Sequence, residues 1–298
     1  MDAPLPFLSF PPQMPPFPTT LSVPASPRHV RRRLPRPLLT ALAALLLGGA
    51  GCTGVTAPTY ALVWSDEFEG PAGAAPDAAN WVADIGTDWG NAQLEYDTDR
   101  RANAALDGAG NLAIIARQES YLNRGYTSAR LKTLGRRQFQ YGRFEARLRM
   151  PSGRGLWPAF WLLGANIGSV GWPRSGEIDV MEYRGQEPSV VHGSLHGPGY
   201  SAGAALTRKY TLPTGRLDEA FHVYRADWTP RDIRFYIDDV LYHVVAKGDQ
   251  PGDWVFDHEF FVILNVAVGG NFVGAPDGTT IFPQTMLVDW VRVYQEVR

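Results

Sequence analysis

The sequence predicts an all-β protein, a sandwich of two substantial β-sheets. Apolar and polar residues alternate along many segments, as in strands with one buried face, and the wider spacing of amphipathic helices is not found. Turn-forming residues separate these segments. No amphipathic helix longer than two turns is indicated. Because strands alone must cover one another's apolar faces, we expect two packed sheets.

Residues 141–150 give the clearest strand, because four apolar side chains alternate there with four charged ones. Residues 233–245 contain two β-rich runs around Asp238 and Asp239, which predicts a hairpin. Residues 260–268 and 286–294 are rich in Val, Ile and aromatic residues and predict two further strands. Turn signals lie at Asp107 and Gly108, at 151–153, at 197–199, and at Gly269 and Gly270.

The chain is expected to divide into three regions. Residues 1–52 form a Pro-rich N-terminus followed by an export signal, residues 53–58 are a short linker, and residues 59–298 make one domain. No linker composition, charge run or internal repeat divides the last region. A net charge of −2 and the lack of basic motifs argue against nucleic-acid binding. We expect a monomer.

The export signal is indicated by a basic, an apolar and a small-residue segment in that order. Five arginines lie between 28 and 36, an apolar run covers 38–47, and small residues at 48–51 precede Cys52. The small residues before Cys52 resemble a bacterial lipoprotein signal, in which that cysteine carries the lipid. Lipidation and simple cleavage both stay open, so the protein is expected to be secreted, periplasmic or anchored at the cell surface. The membrane is expected as a partner only through a lipid on Cys52.

Three carboxylates stand within six positions of a strand-like run at 176–183. Glu177 and Asp179 share one face of a regular strand, whereas Glu182 would face the other side. One extra residue, bulged out near Val180 and Met181, would return Glu182 to the face of the first two. The spacing therefore predicts a β-bulge and a row of three acids on one surface.

Two carboxyl groups facing one bond are the equipment of a glycoside hydrolase. One attacks the anomeric carbon while the other protonates the leaving oxygen. Asp179 between them can keep Glu182 protonated while Glu177 stays ionised. A calcium site or a solvated edge strand remains open from this segment alone. Nine Trp residues suit sugar stacking, although aromatic side chains also fill β cores.

The order of several segments resembles glycoside hydrolase family 16, in the longer form with the bulge residue that is typical of laminarinase-like endo-β-1,3-glucanases. The resemblance spans about residues 60 to 298. The segments that carry it are WSDEF (64–68), YTSAR (126–130), YGRFEAR (141–147), GLWPAFW (155–161), GWP (171–173), EIDVME (177–182), HGSLHGPG (192–199), NVAVGG (265–270) and VDWVRVY (288–294).

The resemblance implies a β-jelly roll of two curved antiparallel sheets with an open cleft for a polysaccharide. It makes Glu177 the nucleophile, Glu182 the general acid/base and Asp179 the residue that tunes them. Trp172 would lie beside the nucleophile as a sugar platform. His196 is expected to contact substrate or Glu182.

Other cleft residues follow from the same resemblance. Of Trp157 and Trp161, one is expected to face the cleft and the other the core. Asn91 and Asn265 are expected at cleft positions, and Arg130 within reach of it, although structural roles at turns or in ion pairs stay open for all three.

No cofactor is expected for catalysis. The resemblance implies a structural calcium away from the cleft, held by Glu67, Gly110 and Asp289, two of them through backbone carbonyls. The expected reaction is retaining endo-hydrolysis of β-1,3-glucan. The same chemistry on mixed-linkage β-glucan or an algal galactan is one alternative, and a β-glucan-binding protein without catalysis is another.

Overall fold

Two β-sheets, of ten and seven strands, make up the part of the chain that the computed structural model describes, residues 59–297. The predicted export signal, the linker at 53–58 and Cys52 lie outside the described residues. Within them, no helix is long and apolar enough to cross a membrane. The strands are numbered β1 to β17 in chain order.

The ten-stranded sheet runs in the order β15-β14-β13-β8-β17-β5-β6-β3, with β1 paired to β17 and β4 to β5. Its pairings are antiparallel except for that of β3 with β6. The strands of this sheet are β1 (Thr59–Asp66), β3 (Glu95–Asp97), β4 (Ala104–Leu106), β5 (Leu112–Tyr121), β6 (Arg124–Ser128), β8 (Gly142–Arg149), β13 (His222–Trp228), β14 (Asp232–Ile237), β15 (Val240–Ala246) and β17 (Gln284–Val297).

The seven-stranded sheet is antiparallel throughout and runs in the order β12-β11-β10-β9-β16-β7-β2. Its strands are β2 (Val82–Asp84), β7 (Arg130–Lys132), β9 (Leu156–Gly164), β10 (Glu177–Tyr183), β11 (Val190–His196), β12 (Leu206–Thr211) and β16 (Phe260–Val268). The all-β prediction is confirmed.

The predicted strands occur where the alternation placed them. Strand β8 covers the segment predicted at 141–150, and β16 coincides with 260–268. Strands β14 and β15 form the predicted hairpin, whose turn residues Asp238 and Asp239 both adopt positive φ angles, 46° and 65°. The only α-helix among the described residues is α1 (Ile167–Val170), a single turn.

The main hydrophobic core lies between the two sheets. Strand β16 is buried along its whole length, because one face packs in this core and the other is covered by side chains on the outer face of the seven-stranded sheet. Val262 and Leu264 point to the core, whereas Ile263 belongs to a second, smaller apolar cluster with Leu163 and Phe261. The outer face therefore has a rigid, apolar base on which polar side chains can be held.

Candidate active site

Strand β10 carries the predicted bulge. Its pairing with β11 shifts between Asp179 and Glu182, and its pairing with β9 shifts between Asp179 and Met181. Val180 and Met181 both enter the core, so one extra residue is taken up on the inner face. As a result Glu177, Asp179 and Glu182 all face outward, which confirms the predicted row of acids.

Glu177 accepts one hydrogen bond and lies near the ring of His196. The indole Nε1 of Trp172 donates to Glu177 Oε2 at 3.0 Å. The imidazole Nε2 of His196 lies 3.7 Å from Glu177 Oε1. Trp172 is 45% exposed, so its ring remains open to a ligand while its N–H fixes the carboxylate. Trp172 thus lies beside Glu177, as the sequence predicted.

His196 faces Asp179 and Glu177. Its Nε2 lies 2.9 Å from Asp179 Oδ2, and its Nδ1 accepts a hydrogen bond from the backbone N–H of Ala202 at 3.1 Å. A ring nitrogen that accepts carries no proton, so the proton of the neutral ring is on Nε2 and points at the acids. His196 therefore contacts Asp179 and lies near Glu177 rather than Glu182, while its contact with substrate stays a prediction.

Glu182 has its own pair of donors. The indole Nε1 of Trp157 donates to Oε1 at 3.0 Å, and the hydroxyl of Ser194 donates to Oε2 at 3.4 Å. Thr207 in turn donates to Ser194 Oγ at 2.9 Å. Because an indole can only donate, Oε1 must act as an acceptor. The acid proton of Glu182 therefore belongs on Oε2, next to Ser194.

Burial raises the pKa of all three carboxyl groups. For Glu177, burial and then the charge of Asp179 raise the pKa to about 8. Burial and the charge of Glu182 raise the pKa of Asp179 well above its usual range, and burial also raises the pKa of Glu182. The raised pKa of Glu182 agrees with the predicted acid. The raised pKa of Glu177 does not agree with the expectation that this group stays ionised on its own.

Three neighbouring carboxyl groups titrate as a set that shares protons. The donors decide where a remaining negative charge lies. Trp172 donates its N–H to Glu177, whose Oε1 also lies 3.7 Å from His196 Nε2, and a protonated Asp179 would supply a second donor. The arrangement therefore favours the form with protons on Asp179 and Glu182 and the charge on Glu177.

The same trio has the spacing of a metal site, since one ligand atom each from Glu177, Asp179 and His196 lie within 4.8 Å of one another. The tautomer of His196 argues against metal binding by this trio. A metal needs the free lone pair of Nε2, but the N–H of Ala202 occupies Nδ1 and leaves the proton on Nε2. The trio fits a hydrogen-bonded acid cluster better than a metal centre.

The acids lie in a cleft of about 820 Å³ on the outer face of the seven-stranded sheet. Trp157 and Trp161 both line this cleft. The expectation that one of them faces the core is wrong, because residues four apart on a regular strand share a face. Between them on the same face of β9 is Ala159, whose small side chain leaves room in the cleft floor.

Asn265, Arg130 and Asn91 also line the cleft, as predicted. Asn265 Oδ1 accepts the indole N–H of Trp161 at 2.8 Å. Arg130 has its guanidinium between two indoles, 4.9 Å from the ring centre of Trp89 and 4.8 Å from that of Trp161, and its Nε lies 3.1 Å from Asp84. Arg130 thus both forms an ion pair and lines the cleft.

The sequence profile described as "Glycosyl hydrolases family 16" matches residues 83–292. The chain belongs to glycoside hydrolase family 16. It is 45% identical over 254 residues to a beta-glucanase of Rhodothermus marinus, a match that covers 81% of this chain and 87% of the relative.

Solved structures of the same family superpose on it. The laminarinase catalytic domain from Thermotoga maritima is 44% identical, with a TM-score of 0.76, over 80% of this chain and 99% of that one. The endo-β-1,3-glucanase from Pyrococcus furiosus is 46% identical, also with a TM-score of 0.76, over 80% of this chain and 96% of that one. These matches confirm the jelly-roll fold that the resemblance implied.

The calcium ligands implied by the resemblance to this family are otherwise engaged. Both carboxylate oxygens of Glu67 accept hydrogen bonds from Arg292, at 3.0 and 2.8 Å, and Asp289 forms an ion pair with Arg147. These side chains therefore do not offer free negative charge to a cation, and only backbone oxygens of the set would remain. Calcium binding stays a prediction carried by the resemblance to family 16.

Several cleft residues of this family member were not among the predicted sites. Ser194 could have been found, because it alternates with His192 and His196 on one face of β11. Trp89 and Phe272 come from loops, where no periodicity reports which way a side chain points. Further cleft residues outside the predicted set are Gln93, Leu163, Ile167, Arg184, Thr207, Lys209 and Asn271.

Proposed function

We propose that this protein is an endo-acting, retaining β-1,3-glucanase. The observation that carries the proposal is the bulge of β10, which puts Glu177 and Glu182 on one face of a cleft, each held by an indole N–H. The substrate is supported by the similarity to proteins named as laminarinases and endo-β-1,3-glucanases. The exposed ring of Trp172 at the acids offers a surface on which a glucose ring can stack.

In the first step the carboxylate of Glu177 attacks the anomeric carbon of the bound sugar. The bond from that carbon to the glycosidic oxygen breaks, and the proton on Glu182 passes to the leaving oxygen. A covalent glycosyl ester of Glu177 results. The donors around Glu177 hold its carboxylate in position for this attack.

In the second step Glu182 acts as a base. It takes a proton from water while the water oxygen attacks the anomeric carbon, and the bond to Glu177 breaks. Two displacements at one carbon restore its configuration, so the product is a β-sugar. Ser194, which can donate or accept, suits both protonation states of Glu182.

The test is hydrolysis of a panel of polysaccharides by the wild type and three variants. Laminarin, curdlan, lichenan, agarose and carrageenan are incubated with enzyme, and reducing ends and product lengths are measured. We expect release from laminarin as a mixture of oligosaccharides, with the β-anomer formed first by NMR. Glu177→Gln and Glu182→Gln should each lower release by a factor of about 10³ or more.

Glu145→Gln is the matched control, because Glu145 is a half-buried acid of β8 whose pKa is also raised by burial but which lies outside the cleft. It should retain the wild-type rate. Faster release from lichenan or agarose than from laminarin would move the assignment to mixed-linkage glucan or galactan. Binding of laminarin by the wild type without any release would favour a glucan-binding protein.

Export, with a lipid on Cys52, is our proposal for the location of the enzyme. It is supported by the basic, apolar and small-residue segments at 28–51. In a bacterial host, the mature protein should begin at Cys52 and partition with membranes, and Cys52→Ala should shift it to the soluble fraction. A mature N-terminus elsewhere, measured by mass spectrometry, would contradict the lipid anchor.

A further inference from the structure

Strand β3 places a second pair of carboxyl groups inside the protein, beside the cleft. Glu95 and Asp97 are only 1% and 2% exposed. They are two residues apart on a strand, so they share one face. The proposed mechanism uses neither group. Burying two acids side by side is costly unless they have partners, so the contacts of each show what the pair holds in place.

Asp97 contacts the wall of the cleft. The indole Nε1 of Trp89 donates to Asp97 Oδ2 at 2.8 Å, and Trp89 lines the cleft next to Asn91. The backbones of Gly86 and Asp97 exchange two hydrogen bonds, of 3.1 and 2.7 Å, which close the intervening segment into a loop. Asp97 therefore supports both the base of this loop and the side chain that the loop presents.

Glu95 ties the same loop to the cleft floor. Its Oε2 accepts the backbone N–H of Val268 at 2.8 Å, and the N–H of Leu94 donates to the carbonyl of Val268 at 2.8 Å. Val268 ends β16, the strand that carries Asn265 in the floor. The wall formed by the loop and the floor formed by β16 are thus joined at Glu95.

Trp89 is also fixed from its other side. The guanidinium of Arg130 lies over its ring, 4.9 Å from the ring centre, and also over the ring of Trp161, at 4.8 Å. A ring held at its N–H by a carboxylate and at its face by an arginine has little rotational freedom. Such a ring can bind a sugar without a large loss of conformational entropy.

Around neutral pH the pair changes its charge. Burial and the charge of Asp97 raise the pKa of Glu95 to about 8, and burial raises the pKa of Asp97 to about 7. The charge of Arg124 lowers the pKa of Glu95. The charge of Arg130 lowers the pKa of Asp97, whereas that of Asp84 raises it. At pH 6 the pair is largely protonated. Near pH 9 two negative charges stand together in a buried site.

We propose that Asp97 and Glu95 are positioning residues that hold the wall containing Trp89 and Asn91 against the polysaccharide chain. They would set the affinity for substrate without taking part in bond cleavage. The inference rests on the proposed function only for the choice of assay substrate, because the contacts themselves do not depend on which glucan is cut.

The experiment measures kcat and KM for laminarin between pH 5.5 and 9 with the full-length enzyme. Asp97→Ala removes the acceptor of the indole N–H, and we expect KM to rise about three- to tenfold, with kcat within about twofold of wild type. Asp97→Asn keeps an acceptor and removes the charge. It should have nearly the wild-type KM at pH 6 and a smaller rise of KM toward pH 9 than the wild type.

A double-mutant cycle identifies the route of the effect. Trp89→Phe keeps a ring but removes the N–H donor, so Asp97→Ala should add little to KM when Trp89 is already Phe. Additive effects would mean that Asp97 does not act through Trp89. Glu145→Gln, the buried acid outside the cleft, should retain the wild-type dependence of KM on pH.

The outcomes separate the two proposals. If the wild type does not cleave laminarin, the proposed function is wrong, and the cycle can be repeated on whichever polymer is cut. If the wild type cleaves laminarin but Asp97→Ala leaves KM unchanged or lowers kcat alone, the positioning role is wrong. Circular dichroism and thermal unfolding show whether a variant is folded, and Asp97→Asn carries the test if Asp97→Ala is not.

Discussion

At the scale of single residues, the two reacting glutamates differ mainly in what their neighbours can accept. Glu177 accepts the indole N–H of Trp172 and lies 3.7 Å from Nε2 of His196, and neither nitrogen can accept a hydrogen bond as the structure orients them. Glu182 faces one such donor, Trp157, and one hydroxyl, Ser194. A donor-only shell stabilises a carboxylate, whereas a hydroxyl also accommodates a carboxylic acid. The division of roles between nucleophile and acid follows from this difference.

Replacing Ser194 should change the pH at which the general acid Glu182 loses its proton. The Ser194 hydroxyl lowers the pKa of Glu182, so Ser194→Ala should raise that pKa further. The acid then stays protonated to higher pH, and the alkaline limb of kcat/KM should move upward by roughly half a pH unit. Ser194→Thr keeps the hydroxyl and serves as the control. Identical limbs in all three proteins would remove Ser194 from the acid/base system.

Replacing Asp179 tests where the protons of the acid cluster lie. A charged Asp179 raises the pKa of Glu177, second only to burial. In the favoured form Asp179 is protonated, so Asp179→Asn takes no charge away from Glu177, and the amide can still donate. We therefore expect the acidic limb of kcat/KM to stay within about 0.3 pH unit of the wild type. An acidic limb about one pH unit lower would show that Asp179 is charged while Glu177 reacts.

Apart from the positions that the family resemblance supplied, such as Trp172 and Asn91, individual roles were predictable only where the strand pattern carries them. Alternation on β10 and β11 identified the acids, and it also places Ser194 and His196 on their face. The same rule applied to Trp157 and Trp161 gives one shared face, so that error was avoidable. The tautomer of His196 was not predictable, because it depends on a backbone N–H six residues further along the chain.

At the scale of elements, the bulge of β10 decides whether the site exists. Val180 and Met181 occupy two successive core positions, and this is the only way that Glu182 can follow them and still face the cleft. The sequence predicted this bulge from the irregular spacing of the three acids, because a strand without a bulge would turn one of their charged side chains into the core. Three-residue strands such as β2, β3 and β4 are too short to show a period, and nothing in the sequence marked them.

Deleting Met181 should leave the acids on one face. The remaining order, Glu177, Ile178, Asp179, Val180 and Glu182, alternates regularly, so no bulge is needed. We expect loss of about 2–4 kcal/mol of stability from the missing buried side chain, together with reduced but measurable hydrolysis. Deleting both Val180 and Met181 should instead turn Glu182 toward the core, because Glu182 then directly follows Asp179 on the strand.

The comparison is made by laminarin hydrolysis and by thermal unfolding. The double-deletion variant should be as inactive as Glu177→Gln. A folded variant that lacks only Met181 and has no hydrolysis would show that the bulge also sets the separation of the two acids along the strand, and that facing the cleft is not sufficient.

At the scale of the whole molecule, the cleft is built from segments that are far apart in sequence. Asn265 on β16 is paired with Ala159 on β9 and with Arg130 on β7. Glu182 pairs with Ala159 on one side and His192 on the other, so one row of side chains crosses the sheet. Strand patterns predict the face of each residue but not the order of strands, because the pairing of distant strands is set by the packing of both sheets.

The buried acids should make the fold less stable as pH rises. Glu95, Asp97 and Glu177 have pKa values raised to about 8, 7 and 8, whereas the unfolded chain releases these protons near pH 4. Their stabilising effect is complete below pH 4 and is lost as pH rises through the folded pKa values. Glu67 and Asp218, whose pKa values are lowered by arginines, act in the opposite direction and lose their stabilising effect in acid.

Thermal unfolding measured from pH 3 to 9 checks the balance between the acids with raised pKa values and those with lowered pKa values. We expect the highest Tm near pH 4, above which the buried acids begin to lose their stabilising effect, and a decrease of roughly 4–8 °C by pH 9, which corresponds to about 2 kcal/mol for a domain of this size. The double variant Glu95→Gln, Asp97→Asn keeps hydrogen-bond acceptors but cannot ionise, so its Tm should decrease less over the same range. If wild type and variant lose the same number of degrees between pH 6 and 9, the buried pair on β3 does not limit the stability of the fold at alkaline pH.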